Sequence, residues 1–413
     1  MAVTGIYTTL ADTALGSPTP SDGICLLACP AVAQSATGGL QFDLLTAYLI
    51  TSRKDLENMG VTEQQNARLL FNVGEFFEKA GEGARLWVVG FGDTSSDFET
   101  FIETNLADVV RSTTVTNFDN RPRIIGIVGS SEYVTTEEGK CLPQFVLDAA
   151  PKLNTTLSTL FNESYRTCAV LDGMSLDCAA ETGMVTEQTA TTLADAGALT
   201  APRVGIQITT STPGQSASIG ETLGIQAGIS LATSIGSMSL PAVRQTEYFI
   251  DRSGDEKINT PVSAVKRATY DDLGQKQFIF TRTRPQMPGV YFNDGATCNL
   301  PTNALSSLEF IRVGNAVCDS VEAFFVRLIN TGIPTLANGS IDPAYKSSTL
   351  ADLYDRYLKP RINRGEAQDI QVDFAAKDGN FIQSRAIVVT VKILPLASLR
   401  EVYEEVFFVS SLN

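Results

Sequence analysis

From residue 386 to residue 394 apolar side chains recur at every second position. Ile387, Val389, Val391 and Ile393 fall on one face of an extended chain, and Val388, Thr390 and Lys392 on the other. That period predicts a strand, and Pro395, which has no N–H to give to a ladder, predicts its end. After a connection over 396–403, residues 404–409 (EEVFFV) carry Val406 and Phe408 on one side and Phe407 and Val409 on the other. A segment apolar on both sides predicts a strand buried between layers. It can dock in its own subunit or on a neighbour, and the pattern alone leaves both open.

Periods of three and four predict the helices. Thr62-Glu-Gln-Gln65 has the form of a capping box, after which Leu69, Val73, Phe76 and Ala80 recur at helical spacing until Gly81. Phe310, Val313, Val317, Val321, Phe324 and Leu328 form a second stripe, stopped by Gly332 and Pro334. A further helix is expected to be capped at Thr349 and to end at Pro360, with Leu350, Leu353, Tyr354, Tyr357 and Leu358 on its buried side. Helices are also expected around 98–109, 143–161 and 220–231, and the chain is expected to turn helical within 44–52.

Short apolar runs at 24–29, 85–90 (RLWVVG), 123–129 (RIIGIVG), 167–171 and 204–209 alternate with these helices. The order predicts an α/β sandwich with a largely parallel sheet. The polar run 252–257 (RSGDEK) marks a turn, and a change of domain is expected shortly after it. The expected organisation is an N-terminal arm over 1–22, an outer α/β region over 23–276, a smaller α+β unit over 277–399 and a C-terminal arm over 400–413. Strands are expected at 277–283, 289–292 and 370–374, with a turn at 377–380. The first arm holds β-compatible residues, Val3, Ile6 and Tyr7 among them, ahead of a loop with Pro18 and Pro20.

Composition narrows the function. The 413 residues are 43% hydrophobic and 19% charged, as expected of a soluble protein of two or three domains. A net charge of −15 has the wrong sign for nucleic acid or anionic lipid as a main partner. No stretch is apolar for 18 residues, and the start lacks a basic region ahead of an apolar core, so neither membrane insertion nor a leader is expected. The seven cysteines are odd in number, lie in apolar stretches and form no zinc-spaced pair, which reads as buried thiols in a reducing compartment.

Histidine is absent. Ser-His and Cys-His nucleophiles, HExxH metal sites and imidazole acid/base chemistry cannot be built from this chain alone. No GxxxxGK[ST] run occurs, and the glycines at 81, 83, 90 and 92 lack the remaining spacing of a dinucleotide fingerprint. No catalytic residue, cofactor or metal is assigned. Carboxylate chemistry stays open in so acidic a chain, with no pair singled out.

Several stretches, taken in order, resemble contractile tail sheath proteins of phage tails, type VI secretion and related injection systems. They are 45–52 (LTAYLITS), 58–60 (NMG), 76–81 (FFEKAG) and 86–89 (LWVV), then 287–295 (MPGVYFNDG) with Thr297, 310–313 (FIRV) and 389–395 (VTVKILP). The stretch 293–298 (NDGATC) departs from the commoner phage pattern. The resemblance implies a structural subunit that stacks as hexameric rings around an inner tube and contracts to drive that tube through an envelope. It implies assembly in the bacterial cytoplasm, into a virion tail or injection particle with baseplate and terminator or cap partners. It also implies arms that each donate a strand to a neighbour, here Val3, Ile6 and Tyr7, and Val406, Phe407, Phe408 and Val409. The acceptor would be the sheet carrying Ile387, Val389, Val391 and Ile393. An arm of ten residues spans up to about 33 Å, enough to reach an adjacent subunit.

Within 346–364 five basic residues stand against two acidic ones. By analogy with sheaths, whose C-terminal domain faces the tube, Arg356, Lys359, Arg361 and Arg364 are expected to meet acidic groups there. A solvated helix end with cations favourable to its dipole explains the same charges. The alternative to a sheath subunit is a cytoplasmic α/β enzyme that uses carboxylates, with a C-terminal dimerisation domain.

Overall fold

The computed structural model describes residues 23–35, 41–115, 118–130, 142, 144–173, 176–177, 201–212, 216–253, 256–300, 303 and 305–396. The two expected arm strands, with Val3, Ile6, Tyr7, Val406, Phe407, Phe408 and Val409, lie outside the described residues. The chain divides into two compact units, Met1–Asp319 and Ser320–Asn413.

The first unit is organised by strands buried on both faces. β1 (Cys25–Pro30) has no exposed side chain, which requires a sheet covered on both sides. A small antiparallel pair, β2 (Gln34–Ser35) and β3 (Gln41–Phe42), comes next. Then, where the sequence suggests a turn into helix within 44–52, β4 (Tyr48–Ile50) is extended and forms an antiparallel edge. The helix begins later, as α1 (Arg53–Asn58), where Asp55 accepts from the Ser52 N–H at 3.0 Å.

In α2 (Glu63–Ala80) the box expected at Thr62 does not close, because the Thr62 side chain makes no cap hydrogen bond. Asn66 instead leaves helical geometry at φ −130, and its amide bonds both the N–H of Val32 at 2.8 Å and its carbonyl at 3.1 Å. Gly81, at φ +83, ends the helix in a conformation few other residues adopt.

The body continues through β5 (Leu86–Phe91), α3 (Ser95–Thr100), a π turn over Phe101–Asn105, α4 (Leu106–Ser112), β6 (Ile124–Ile127) and α5 (Gln144–Asn162). It goes on with β7 (Cys168–Asp172), β8 (Leu176–Asp177), β9 (Val204–Gln207), β10 (Thr209–Thr210) and α6 (Ile219–Gly228). Around the turn expected at 252–257 the chain forms a hairpin, β11 (Tyr248–Ser253) with β12 (Glu256–Pro261), which precedes α7 (Arg267–Gln275) and β13 (Phe278–Ile279). The main sheet has seven strands in the order β13-β9-β7-β6-β1-β5-β4, all parallel except β4. This parallel-dominated α/β body matches the expectation.

The change of unit falls later than expected. β13 pairs parallel with β9 in the main sheet, so the chain is still building the first unit beyond residue 277. The hairpin of β14 (Thr281–Arg284) and β15 (Met287–Phe292) follows, and the division comes within α8 (Leu308–Phe325). On its first part, Asp319 receives Arg121 at 2.5 Å, Arg166 at 2.7 Å and also Arg123. Burial alone would raise the Asp319 carboxyl, but the charges of Arg123 and Arg121 outweigh it and hold the group below the usual carboxylate range.

Packing is tightest where α2 meets α6. A Cβ placed on Gly220 would lie 1.8 Å from the Asn72 carbonyl oxygen, and one on Gly224 2.5 Å from that of Phe76. The two backbones touch through a Gly-x-x-x-Gly face, and the Gly220 N–H donates to Asn72 Oδ1 at 3.0 Å.

In the second unit a helix runs from α9 (Pro343–Leu353) through a π turn (Tyr354–Leu358) into α10 (Lys359–Asn363). It starts six residues before the cap expected at Thr349. Asp342 is the cap, accepting from the Ala344 N–H at 2.8 Å, with Pro343 in the first turn, where its missing N–H costs nothing. The helix also passes through Pro360. A proline inside a helix removes one hydrogen bond and crowds the carbonyl four residues back. Here the wider turn, closed by Lys359 N–H to Tyr354 O, comes immediately before it. β16 (Asp369–Ala376), α11 (Phe381–Ser384) and β17 (Ile387–Leu394) complete the unit.

Candidate assembly surface

β16 and β17 form a two-stranded antiparallel ribbon. The register sets Ile370 opposite Ile393, Val372 opposite Val391 and Phe374 opposite Val389, which puts six apolar side chains on one face. That face is covered unevenly. Ile370 and Phe374 are 1% and 2% exposed, with the Phe325 ring edge-on to Phe374 at 5.5 Å. Ile387, Val389, Val391 and Ile393 are only half-buried, and Val388 and Leu394 on the other face are exposed. Among the described residues no third strand pairs with either outer edge. A ribbon of two strands is marginal in water, and open edges accept further strands.

Beside β16 lies a groove of about 550 Å³, lined by Leu350, Tyr354 and Leu358 of the long helix and by Ile370, Val372 and Lys392 of the ribbon. Tyr354, expected on the buried side, is 39% exposed, whereas Leu353 and Leu358 are fully buried. Lys346 Nζ meets Asp373 at 2.6 Å, and this hydrogen bond holds the Asp373 carboxyl below its usual range.

The four cations expected to face a tube differ from one another. Arg361 is 12% exposed, donates to Ser320 Oγ at 2.7 Å and pairs with the buried Glu366 at 2.6 Å, so it braces the turn into β16. Arg364 shares Glu366 at 2.6 Å from a half-exposed position. Arg356 and Lys359 are exposed and make pairs with Asp352 and Asp355 one turn back, at 3.1 and 3.4 Å. Nothing in the local sequence marks the bracing role of Glu366 or the groove. Asp342-Pro343 is the start signal that would have moved the cap away from Thr349, whereas the face presented by Tyr354 depends on the π turn.

The place where an open α/β sheet receives a substrate is the crevice at its switch point, beyond the C-terminal ends of the strands flanking β1. There Arg68 donates to the Gly129 carbonyl at 2.8 Å and to Asp93 at 3.3 Å, and the Ser130 hydroxyl donates to the Asp93 carbonyl at 2.9 Å. The fold's own side chains span that position. Among the described residues no helix is long and apolar enough to cross a membrane, and no cluster of three or more acidic or cysteine ligands is arranged for a metal ion.

Residues 3–296 match the family described as DUF2586, N-terminal domain. The chain belongs to the DUF2586 family. No functionally curated protein matches this DUF2586 chain in sequence. Solved structures do match its fold over nearly the whole length. A chain of the sheath complex of an extracellular contractile injection system (PVC), in its contracted state, aligns at a TM-score of 0.57 with 13% identity, covering 100% of this chain and 98% of that one. A chain of the anti-feeding prophage (AFP) baseplate aligns at 0.56 with 10% identity, covering 100% of both. A sheath tail protein from Listeria innocua aligns at 0.50 with 9% identity, covering 90% and 94%. The DUF2586 chain therefore has the fold found in contractile-system sheath proteins.

Proposed function

We propose that this protein is the sheath subunit of a contractile tail or injection particle, a mechanical rather than a catalytic component. The observation that carries the reading is the full-length likeness in fold to proteins of contractile systems. The open ribbon of the second unit supports it, because it offers what strand exchange needs: unpaired edges and an apolar face left half-covered on the β17 side.

In this reading subunits stack as hexameric rings around an inner tube. The arms at 1–22 and 400–413 each add a strand to a neighbour's ribbon, through Val3, Ile6 and Tyr7 and through Val406, Phe407, Phe408 and Val409, with Ile387, Val389, Val391 and Ile393 on the acceptor. Main-chain hydrogen bonds, each worth about 1 kcal/mol net, join the subunits without fixing their mutual angle, so the lattice can shorten while the joints hold. Arg356 and Lys359, with Arg364 beside them, are proposed to face the tube, and Arg361 to hold that helix end in place. Baseplate and terminator or cap proteins close the two ends of the polymer.

The test is assembly of the purified protein, alone and with candidate tube proteins. Regular tubes in negative-stain images are expected, and deletion of residues 1–9 or 404–413 is expected to abolish them. Regular tubes from either truncated protein would remove strand exchange for that end. Absence of any polymer with every candidate tube protein would remove the sheath reading.

A further inference from the structure

The two edges of the ribbon are open in different ways. Along β16 the long helix supplies one wall of a groove, and Ile370 and Phe374 are buried. β17 is open on both faces: Ile387, Val389, Val391 and Ile393 are half-buried on one, and Val388 and Leu394 are exposed on the other. Among the described residues no strand pairs with its outer edge. Two strands alone are marginal in water, whereas a third strand over an apolar face can make a sheet stable by itself. The strand that suits β17 is one with apolar side chains on both sides.

The chain carries such a segment a short way downstream. Residues 397–413 lie outside the described residues, and within them 404–409 (EEVFFV) set Val406 and Phe408 on one side of an extended chain and Phe407 and Val409 on the other. Either register along β17 therefore lays two apolar side chains on its half-buried face and two on its exposed face. Nine residues, 395–403, separate the two strands. They span up to about 30 Å, and the next strand position in a sheet is only about 4.8 Å away. A simple antiparallel return brings the segment to its own edge.

We propose that in the unassembled subunit residues 404–409 close the ribbon of their own chain, pairing antiparallel with the outer edge of β17, and that assembly exchanges this strand for the same pairing on a neighbour. Effective concentration sets the resting state. A short tether presents the segment to its own edge at about millimolar concentration, so against neighbours at about micromolar it wins by about a thousandfold. Exchange between like pairings costs little once subunits are held side by side, as in domain swapping. A closed subunit covers its open edge and its apolar segment at the same time, which protects it from indiscriminate edge-to-edge pairing. The exchange rests on the sheath reading, whereas the closed subunit does not.

The test is hydrogen exchange of the dilute full chain, with its monomeric state checked by sedimentation. Residues 404–409 and β17 are expected to be protected, and equally so across a dilution series, because pairing within one chain does not depend on concentration. Deleting residues 404–413 is expected to remove the protection of β17 and to leave that of β1 and β7 unchanged, whereas deleting residues 1–9 is expected to change neither. Four results would each overturn the closed subunit: residues 404–409 exchanging as fast as unstructured chain, protection that fades on dilution, loss of β17 protection with the N-terminal deletion, or a chain that stays associated at every dilution. If the C-terminal deletion fails to fold, the full-chain dilution series decides. Tubes built from a subunit shown to be open would remove this inference and keep the sheath reading, and a closed subunit that never polymerises would remove only the sheath reading.

Discussion

The two units differ in how fully the faces of their sheets are covered. In the α/β body, strands are buried on both faces, helix backbones touch at Gly220 and Gly224, and Asp319 and Glu221 are held by cations inside the fold. In the second unit the ribbon leaves two edges unpaired among the described residues, and one half of its apolar face lies half-open. Charge divides the same way. Residues 1–319 hold 21 basic against 35 acidic residues and 320–413 hold 10 against 11, so the acidity belongs to the body and the cationic helix end of the second unit stands out against a nearly neutral background. The fully covered strands thus lie in one unit and the half-covered ribbon in the other.

The comparison can be broken most forcefully at the helix contact. Gly220→Ala puts a methyl where the Asn72 carbonyl stands, and a loss of about 3 kcal/mol or more is expected in thermal unfolding of the body. An unchanged melting temperature would mean that the two helices are not held backbone to backbone. Next in size is Glu366→Gln, which leaves the mostly buried Arg361 without its charge partner. About 3 kcal/mol is expected to be lost from the second unit, read by hydrogen exchange in β16 and α10.

A matched pair of substitutions sharpens the contrast. Val170→Thr in the fully buried β7 is expected to cost about 1–3 kcal/mol for an enclosed hydroxyl. Val389→Thr on the half-open face is expected to cost under about 0.5 kcal/mol in the monomer and yet to shorten or abolish tubes. Equal monomer costs would make the ribbon as closed as the body. The smallest stability effect is expected for Arg356→Glu with Lys359→Glu, within about 0.5 kcal/mol because both pairs are exposed. Co-sedimentation with the tube should nevertheless fall, and unchanged co-sedimentation would remove the tube-facing assignment.

Much of this contrast was legible in the residues. Uninterrupted apolar runs announced the buried parallel strands, and the strict alternation from Ile387 to Ile393 announced a ribbon with two unlike faces. What escaped depends on partners distant in sequence. β4 is a strand because β5 offers it an edge, although its own residues suit either conformation. β13 belongs to the body because β9 lies beside it. Arg361 looked like a surface cation, and only Glu366 and Ser320 around it turn it inward.

The π turn before Pro360 has a consequence of its own. One residue accommodated without lengthening the helix is a phase shift of about 100°. Everything after Leu358 is therefore rotated relative to the face that α9 establishes. Deleting one residue of the turn would reset the phase and redistribute Arg361 and Arg364 among different neighbours. A single position thus acts as the index mark that decides which side of this helix is offered outward and which is kept.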